Sequence, residues 1–235
     1  MARPMAAISA ITLDLDDTLW PVWPTIERAE RVLHEWLAVN AAATAAAHDT
    51  VSLRRVRNAL SIENPQWAHD LTMIRRESIR RVLGECGDDP ALADAAFEVF
   101  FAARQEVVLF DDALSALQRL AARYPLLGLT NGNADLQRVG LAAHFRGCIT
   151  AREFGVGKPE PAIFHEACRR LGVPAAQVLH VGDDPLVDVA GALRAGLQAA
   201  WVRRDDAVPA AISALDTQPQ FIVTDLAELA DRLGA

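Results

Sequence analysis

Leu13-Asp14-Leu15-Asp16-Asp17-Thr18-Leu19 closes the first apolar run of the chain and decides how the rest is read. Ala6 to Leu13 reads as a buried strand, with Ile8, Ile11 and Leu13 supplying β-branched and aliphatic bulk. The run ends in three carboxylates within four residues, Asp14, Asp16 and Asp17. Side chains at i and i+2 of an extended segment share a face, so Asp14 and Asp16 can converge on one small space. Carboxylates that close repel each other, and a hard divalent cation relieves the repulsion. The competing reading is a solvated acidic turn that caps a helix.

Outward from this stretch the chain changes character. Between Val22 and about Val108 the patterns are helical. The first helix starts at Pro24 or Thr25 with Ile26, Ala29, Val32, Leu33, Trp36 and Leu37 on one face, and the alanine-rich run Ala41–Ala47 extends it or turns after it. A second helix covers Thr50 to Leu60, a third Pro65 to Leu83, and a fourth follows Pro90 with Leu92, Phe97, Val99 and Phe100. From Phe110 onward helices and strands alternate. Leu114, Leu117, Leu120 and Ala121 mark a helix face that Asp111 or Asp112 can cap. Strands are predicted at Pro125–Thr130, Cys148–Thr150, Val178–Val181, Leu197–Val202 and Phe221–Val223. Helices are predicted from Asn133 to Gly140, from Pro161 past Leu171, over Leu186–Ala195 and over Asp225–Leu233. Strands alternating with helices of this length imply right-handed crossovers and an α/β fold with a doubly wound, mainly parallel sheet. The helical block reads as an insertion: residues 22–108 form one domain, and 1–21 with 109–235 the other.

The chain has 235 residues, 51% hydrophobic and 23% charged, which suits a packed core rather than disorder. Its formal net charge of −8 argues against broad electrostatic binding to nucleic acid or to anionic membranes. Cys86, Cys148 and Cys168 show no metal-ligand spacing and read as reduced, buried thiols. Met1 to Leu13 is too short to span a bilayer and leads into the acidic motif rather than a cleavage site, so a cytoplasmic location is expected.

Ligands of open α/β sheets bind beyond the carboxyl ends of the strands, and the polar features fall there. The second strand ends in Thr130-Asn131-Gly132, a hydroxyl, an amide and backbone N–H groups suited to phosphoryl oxygens. Lys158, in Gly155-Val156-Gly157-Lys158-Pro159, is a lysine in a chain whose cations are mostly arginines. Val181-Gly182-Asp183-Asp184-Pro185-Leu186-Val187-Asp188 is again a strand running into acids. Asp184 before Pro185 suits a helix N-cap, whereas Asp183 at the strand tip has no such role.

These four segments, in this order, resemble the haloacid dehalogenase superfamily of phosphohydrolases: Asp14-Leu15-Asp16-Asp17-Thr18, Thr130-Asn131, Lys158-Pro159, and Gly182-Asp183-Asp184 with Asp188. The resemblance implies a Rossmann-like core with an inserted α-helical cap that closes over a small phosphorylated metabolite. It implies that Asp14 attacks phosphorus to form an aspartyl-phosphate and that Asp16 is the acid and then the base. Thr130, Asn131 and Gly132 would bind the transferring group, with Lys158 neutralising charge. Mg²⁺ would be held by Asp14, Asp183 and Asp16 (through its backbone carbonyl), with Asp188 and Asp184 in support. Asp17 is expected to point away in a structural role. Trp20, Trp23 and the arginines Arg75, Arg76, Arg80 and Arg81 are candidates for choosing the leaving group. Core packing for the tryptophans and a solvated face for the arginines are the alternatives. His180, His165 and His69 read as core or supporting histidines.

A closer likeness, carried by Asp14-Leu15-Asp16-Asp17-Thr18-Leu19, Thr130-Asn131-Gly132-Asn133-Ala134, Leu179-His180-Val181-Gly182-Asp183-Asp184, Gly191-Ala192 and Gly196-Leu197-Gln198-Ala199, is to the branch that dephosphorylates flavin mononucleotide and the riboflavin precursor 5-amino-6-(5-phosphoribitylamino)uracil. Broad-range sugar-phosphate phosphatase is the alternative within the superfamily. A 2-haloacid dehalogenase normally lacks an acid at the position of Asp16. A signalling receiver is about half this length, and a silent binding protein would be expected to have lost Asp14, Asp16 or Lys158.

Overall fold

The computed structural model describes residues 6–204 and 218–235, so Met1–Met5 of the first segment lie outside the described residues. The chain divides into two compact units, one formed by residues up to Pro21 together with Val108 onward, the other by Val22–Val107.

The first unit is built on six strands: β1 (Ala10–Leu13), β2 (Leu126–Thr130), β3 (Cys148–Thr150), β4 (Val178–Gly182), β5 (Gln198–Val202) and β6 (Phe221–Val223). They lie in the order β3-β2-β1-β4-β5-β6, and every pairing is parallel. Buried on both faces, β1, β2, β4 and β5 have the continuous apolar character that a covered parallel sheet requires. One face packs Leu127, Leu129, Ile149, Val189 and Trp201 against Ile163, Phe164 and Ala167. The strand order reverses at β1, the position where doubly wound sheets open a crevice for ligands. Leu13 pairs with Gly128 on one side and Val181 on the other, so the segments leaving β1, β2 and β4 emerge side by side.

The helical unit contains α1 (Val22–Asn40), α2 (Ala42–Ala47), α3 (Thr50–Glu63), α4 (Leu71–Cys86) and α5 (Ala93–Arg104). Leu33, Leu37, Ile79, Val82, Leu83, Phe97 and Phe100 form its core. The alanine run neither extends α1 nor serves as a turn: the backbone breaks at Ala41, and Asp88 Oδ2 accepts from both the N–H and the hydroxyl of Thr44 to anchor a separate helix. The helix predicted from Pro65 becomes a 3₁₀ turn at Pro65–Trp67, and α4 starts afresh at Leu71, where Asp70 accepts from the Met73 N–H. Arg75 lies on no solvated face. It is buried against Glu30, which takes Arg75 through one oxygen (3.1 Å) and Arg54 through the other (2.5 Å). Arg76, Arg80 and Arg81 are half exposed and paired with Asp94, Glu77 and Glu63.

In the first unit the remaining helices among the described residues are α6 (Ala113–Arg123), α7 (Ala151–Phe154), α8 (Pro161–Leu171), α9 (Gly191–Arg194) and α10 (Leu226–Leu233). The expected strand from Ala6 is hydrogen-bonded as β1 only from Ala10. The expected helix from Asn133 to Gly140 is absent. Asp135 Oδ1 accepts from the Gln137 N–H at 2.8 Å, and this local turn competes with helix before the left-handed Gly140. Leu114 is 43% exposed, the buried face of α6 running instead through Ala113, Ala116, Leu117 and Leu120. Asp112 makes no side-chain cap bond to α6. Its carboxylate takes Arg204 and the Leu226 N–H, tying α10 to the sheet. Leu186–Ala195 splits into a π-helical turn, Pro185–Ala190, followed by α9. No described helix is long and apolar enough to cross a membrane. Of the cysteines, Cys168 is buried and Cys86 and Cys148 are half-buried, all free thiols.

Candidate active site

The acidic stretch leaves β1 and folds back on itself at once. Asp14 is fixed by its N–H to Val181 O on β4 (2.9 Å). Leu15 and Leu19 are fully buried, and the Leu19 N–H returns to Leu15 O. Asp17 takes the left-handed conformation, φ 58°, with its N–H on Trp20 O. An aspartate tolerates that backbone better than most residues do. The Trp20 indole is sealed in the core and donates to Asp16 Oδ1 at 2.8 Å. Trp20 therefore orients Asp16 and is no platform for a substrate ring. Trp23 is 47% exposed, with the Arg54 guanidinium 4.3 Å from the centre of its ring.

Lys158 occupies the middle of the site. Its ammonium lies 2.5 Å from Asp14 Oδ1 and 2.6 Å from Asp188 Oδ1, all three side chains being nearly sealed from solvent. Its backbone is held by Asn131, whose amide oxygen accepts the Lys158 N–H and whose amide nitrogen donates to the Lys158 carbonyl, both at 2.8 Å. The Asn131 side chain thus fixes the backbone that carries Lys158. Gly157 makes that clamp feasible, because a Cβ there would stand 2.5 Å from Asn131 Oδ1. Thr130, 1% exposed at the tip of β2, accepts the Gly132 N–H through its hydroxyl at 2.9 Å, which leaves the hydroxyl proton to be donated elsewhere.

The acids after β4 divide their tasks. Asp184 Oδ1 accepts from the Leu186 and Val187 N–H groups, capping the π-helical turn. Asp188 returns to the strand tip, where its Oδ2 accepts the Asp184 N–H at 3.0 Å and its Oδ1 meets Lys158 and, at 3.1 Å, His180 Nε2. A Cβ at Gly182 would lie 2.3 Å from Asp188 Cγ, so only glycine lets this carboxylate reach the site. Asp183 Oδ1 accepts from the Thr18 hydroxyl at 2.9 Å, and its carbonyl receives the Trp201 indole N–H.

Electrostatically this is a site short of positive charge. Burial pushes the Asp14 carboxyl well above its usual range, the Lys158 charge opposing and the Asp188 and Asp183 charges adding to the effect. Burial and the Asp188 charge raise Asp183 to about 7. Lys158 is the compensating cation. Burial works against its charge, yet Asp14 and Asp188 outweigh it and hold the ammonium above its ordinary range. Asp188, also opposed by burial, is held low by Lys158 and His180. Among the described residues, Asp14, Asp183 and Asp188 each place a carboxylate oxygen within 4.8 Å of the others. Because Asp188 is already engaged by Lys158, His180 and a backbone N–H, Asp14 and Asp183 are the carboxylates best placed for a cation. The Asp16 carboxylate is not in this group. An all-oxygen set with excess negative charge fits Mg²⁺.

Sequence reading missed Thr18 and Thr12, the partners of Asp183 and His180, and the Trp20–Asp16 bond. The partners of the two threonines lie 168 and 165 positions away, so no local spacing announces them, whereas Trp20 and Asp16 are only four residues apart.

Known proteins bear on this geometry. The haloacid dehalogenase-like hydrolase family matches residues 8–196. The 5-amino-6-(5-phospho-D-ribitylamino)uracil phosphatase YigB of Escherichia coli is 35% identical over 208 residues, 87% of each chain. A glyceraldehyde 3-phosphate phosphatase of Methanopyrus kandleri is 29% identical over 84% of each. Among solved structures, a 2-haloacid dehalogenase from Pseudomonas syringae pv. tomato superposes with a TM-score of 0.88 at 37% identity, covering 97% of this chain and 98% of its own. With the sheet, the four strand-tip segments and this similarity in agreement, the chain belongs to the haloacid dehalogenase-like hydrolases.

Proposed function

We propose that the protein is a Mg²⁺-dependent phosphomonoester hydrolase that works through an aspartyl-phosphate on Asp14. The observation that carries this reading is the buried Lys158 ammonium bridging Asp14 and Asp188 beside Asp183. Phosphoryl transfer asks chiefly for positioning and for neutralisation of charge on the transferred group, and this arrangement supplies both around a carboxylate nucleophile. Mg²⁺ held by Asp14 and Asp183, with the Asp16 carbonyl, would neutralise charge on the phosphoryl oxygens.

In the first half-reaction a carboxylate oxygen of Asp14 bonds to phosphorus as the ester P–O bond breaks, and Asp16 gives its proton to the departing oxygen. In the second, Asp16 takes a proton from water, the water oxygen bonds to phosphorus, and the Asp14–phosphorus bond breaks to release inorganic phosphate. The Trp20 indole keeps Asp16 in place for both steps. The Thr130 hydroxyl donates to the transferring group, and Lys158 screens it from Asp14. Asp16→Ala is accordingly expected to slow both steps, lowering kcat by roughly 10²–10⁴-fold, with burst kinetics to compare formation and breakdown of the intermediate. A variant turning over at the wild-type rate would remove Asp16 from acid–base work.

The substrate we infer is a ribityl phosphate, either 5-amino-6-(5-phosphoribitylamino)uracil or flavin mononucleotide. The extended similarity to YigB supports this. The similarity to a 2-haloacid dehalogenase supports a second reading, which Asp16 disfavours because an alkyl halide needs no protonated leaving group. The deciding experiment measures phosphate release from both ribityl phosphates and a sugar-phosphate panel, and halide release from 2-chloropropionate, each with Mg²⁺ and with chelator. Chelator-sensitive phosphate release, fastest on the ribityl phosphates, is expected. Even release across the panel would overturn the substrate, and halide release without phosphate release would overturn the phosphatase.

A further inference from the structure

His180 on β4 is fully buried and has no part in the proton transfers above. It is nevertheless held on three sides. Its Nε2 lies 3.1 Å from Asp188 Oδ1 and its Nδ1 2.8 Å from Thr12 Oγ1. Thr12 sits directly opposite it on β1. The Phe164 ring meets the imidazole edge-on, with centres 5.0 Å apart and planes at 87°.

The partners fix the direction of each hydrogen bond. Asp188 already receives the Lys158 ammonium on Oδ1 and the Asp184 N–H on Oδ2, so it acts as an acceptor. The contact at Nε2 therefore needs a proton on that nitrogen. Burial favours the neutral ring, which leaves a lone pair at Nδ1, and the Thr12 hydroxyl donates into it. Thr12 thus donates to His180 and His180 to Asp188 Oδ1, which also accepts the Lys158 ammonium that donates to Asp14. A histidine that served packing alone would leave two polar nitrogens to be satisfied where an apolar side chain would need nothing. Here both nitrogens are satisfied, and one of them is satisfied by the oxygen that anchors Lys158.

We propose that His180, oriented by Thr12, is a positioning residue whose Nε2–H fixes Asp188 Oδ1 and so keeps the Lys158 ammonium on Asp14. The inference rests on the reading of Asp14 as nucleophile. Without this donor the Asp188 carboxylate can rotate about its own bond, and the lysine it steers loses its register with the nucleophile.

The test uses the full chain with Mg²⁺ and three variants. His180→Leu removes the donor, His180→Gln places an amide nitrogen near the position of Nε2, and Thr12→Val removes the hydroxyl while keeping its shape. His180→Leu is expected to lower kcat by about 10–100-fold, the usual scale for partners that orient site carboxylates, with KM little changed. His180→Gln should recover most of that loss, and Thr12→Val should fall between. Imidazole ¹⁵N spectra of the wild type should show the Nε2–H tautomer at neutral pH, and Thr12→Val should keep that tautomer while shifting the Nδ1 resonance that loses its hydrogen bond. A purely structural role would lower the melting temperature of the variants without a loss confined to kcat and without rescue by glutamine. An Nδ1–H tautomer in the wild type, or a folded His180→Leu protein with wild-type kcat, would overturn the proposal. A wild type that hydrolyses no phosphomonoester would overturn the phosphatase reading instead, and the tautomer would still judge the lock on Asp188.

Discussion

Asp14→Asn is expected to abolish turnover while the protein stays folded. The amide has no charged oxygen with which to attack phosphorus, so no aspartyl-phosphate forms and kcat falls by at least about 10⁴-fold, as for other deleted nucleophiles. The fold survives for an electrostatic reason. Burial holds the Asp14 carboxyl well above its usual range, with the Asp188 and Asp183 charges pushing the same way, so its ionised form is a burden that only Lys158 relieves. Asparagine removes that burden, keeps the volume and still offers an oxygen to the Lys158 ammonium. Lys158 retains Asp188 at 2.6 Å. The melting temperature of the variant should therefore be equal to or above that of the wild type in the absence of metal. The measurements are phosphate release under saturating substrate, acid-quench trapping of phosphoenzyme, and intact mass to exclude deamidation back to aspartate. Trapped phosphoenzyme in a variant of verified mass would assign the nucleophile to another residue.

The contrast between Asp14 and Asn131 shows which parts of the site a sequence displays. Asp14 is legible because a buried strand that ends in carboxylates has no packing reason to do so. The strand-tip positions of Thr130 and Asp183 follow from the same apolar runs. What the Asn131 side chain does is decided by where Lys158 arrives, 27 residues later in the chain, and by the absence of a Cβ on Gly157. Neither is a local property. Trp20 reads as a candidate ring platform from its place beside the motif, but the left-handed turn at Asp17 swings it into the core and onto Asp16. The missing helix after Asn133 fails for a converse reason, since the short side chain of Asp135 satisfies backbone N–H groups that helix would otherwise use. Arg75 misleads because its spacing is that of a solvated face, and only the tertiary position of Glu30 makes it a buried partner. Local pattern thus places the strands and the acids, while side-chain partnerships across the sheet decide what each polar group is free to do.

Lys158→Met should damage both stability and catalysis, and the two effects can be separated by pH and by metal. Methionine matches the stem of the lysine but leaves Asp14 and Asp188 buried without a counter-charge. Breaking a buried pair by removing one partner typically costs about 3–5 kcal/mol. The sign with pH follows from the shifts. In the wild type, burial alone would raise Asp188, but Lys158 and His180 hold it below its usual range. It therefore contributes stability at neutral pH that is lost only as pH falls through that depressed value. In the variant, burial and mutual repulsion raise both carboxyls, so the destabilisation is greatest at and above neutral pH and shrinks as acid protonates them. The stability difference between the proteins, from urea unfolding at pH 5 and pH 8, should accordingly be larger at pH 8. Mg²⁺ should narrow that difference by supplying charge beside Asp14, and the variant's melting temperature should respond to Mg²⁺ more than the wild type's. Catalysis will not return with the metal. The ammonium that screens the phosphoryl group from Asp14 is gone, and loss of one such electrostatic contact costs roughly 10²–10³-fold in kcat. A variant equally stable at pH 5 and pH 8, with turnover restored by Mg²⁺, would show that Lys158 is neither the counter-ion of this site nor part of its chemistry.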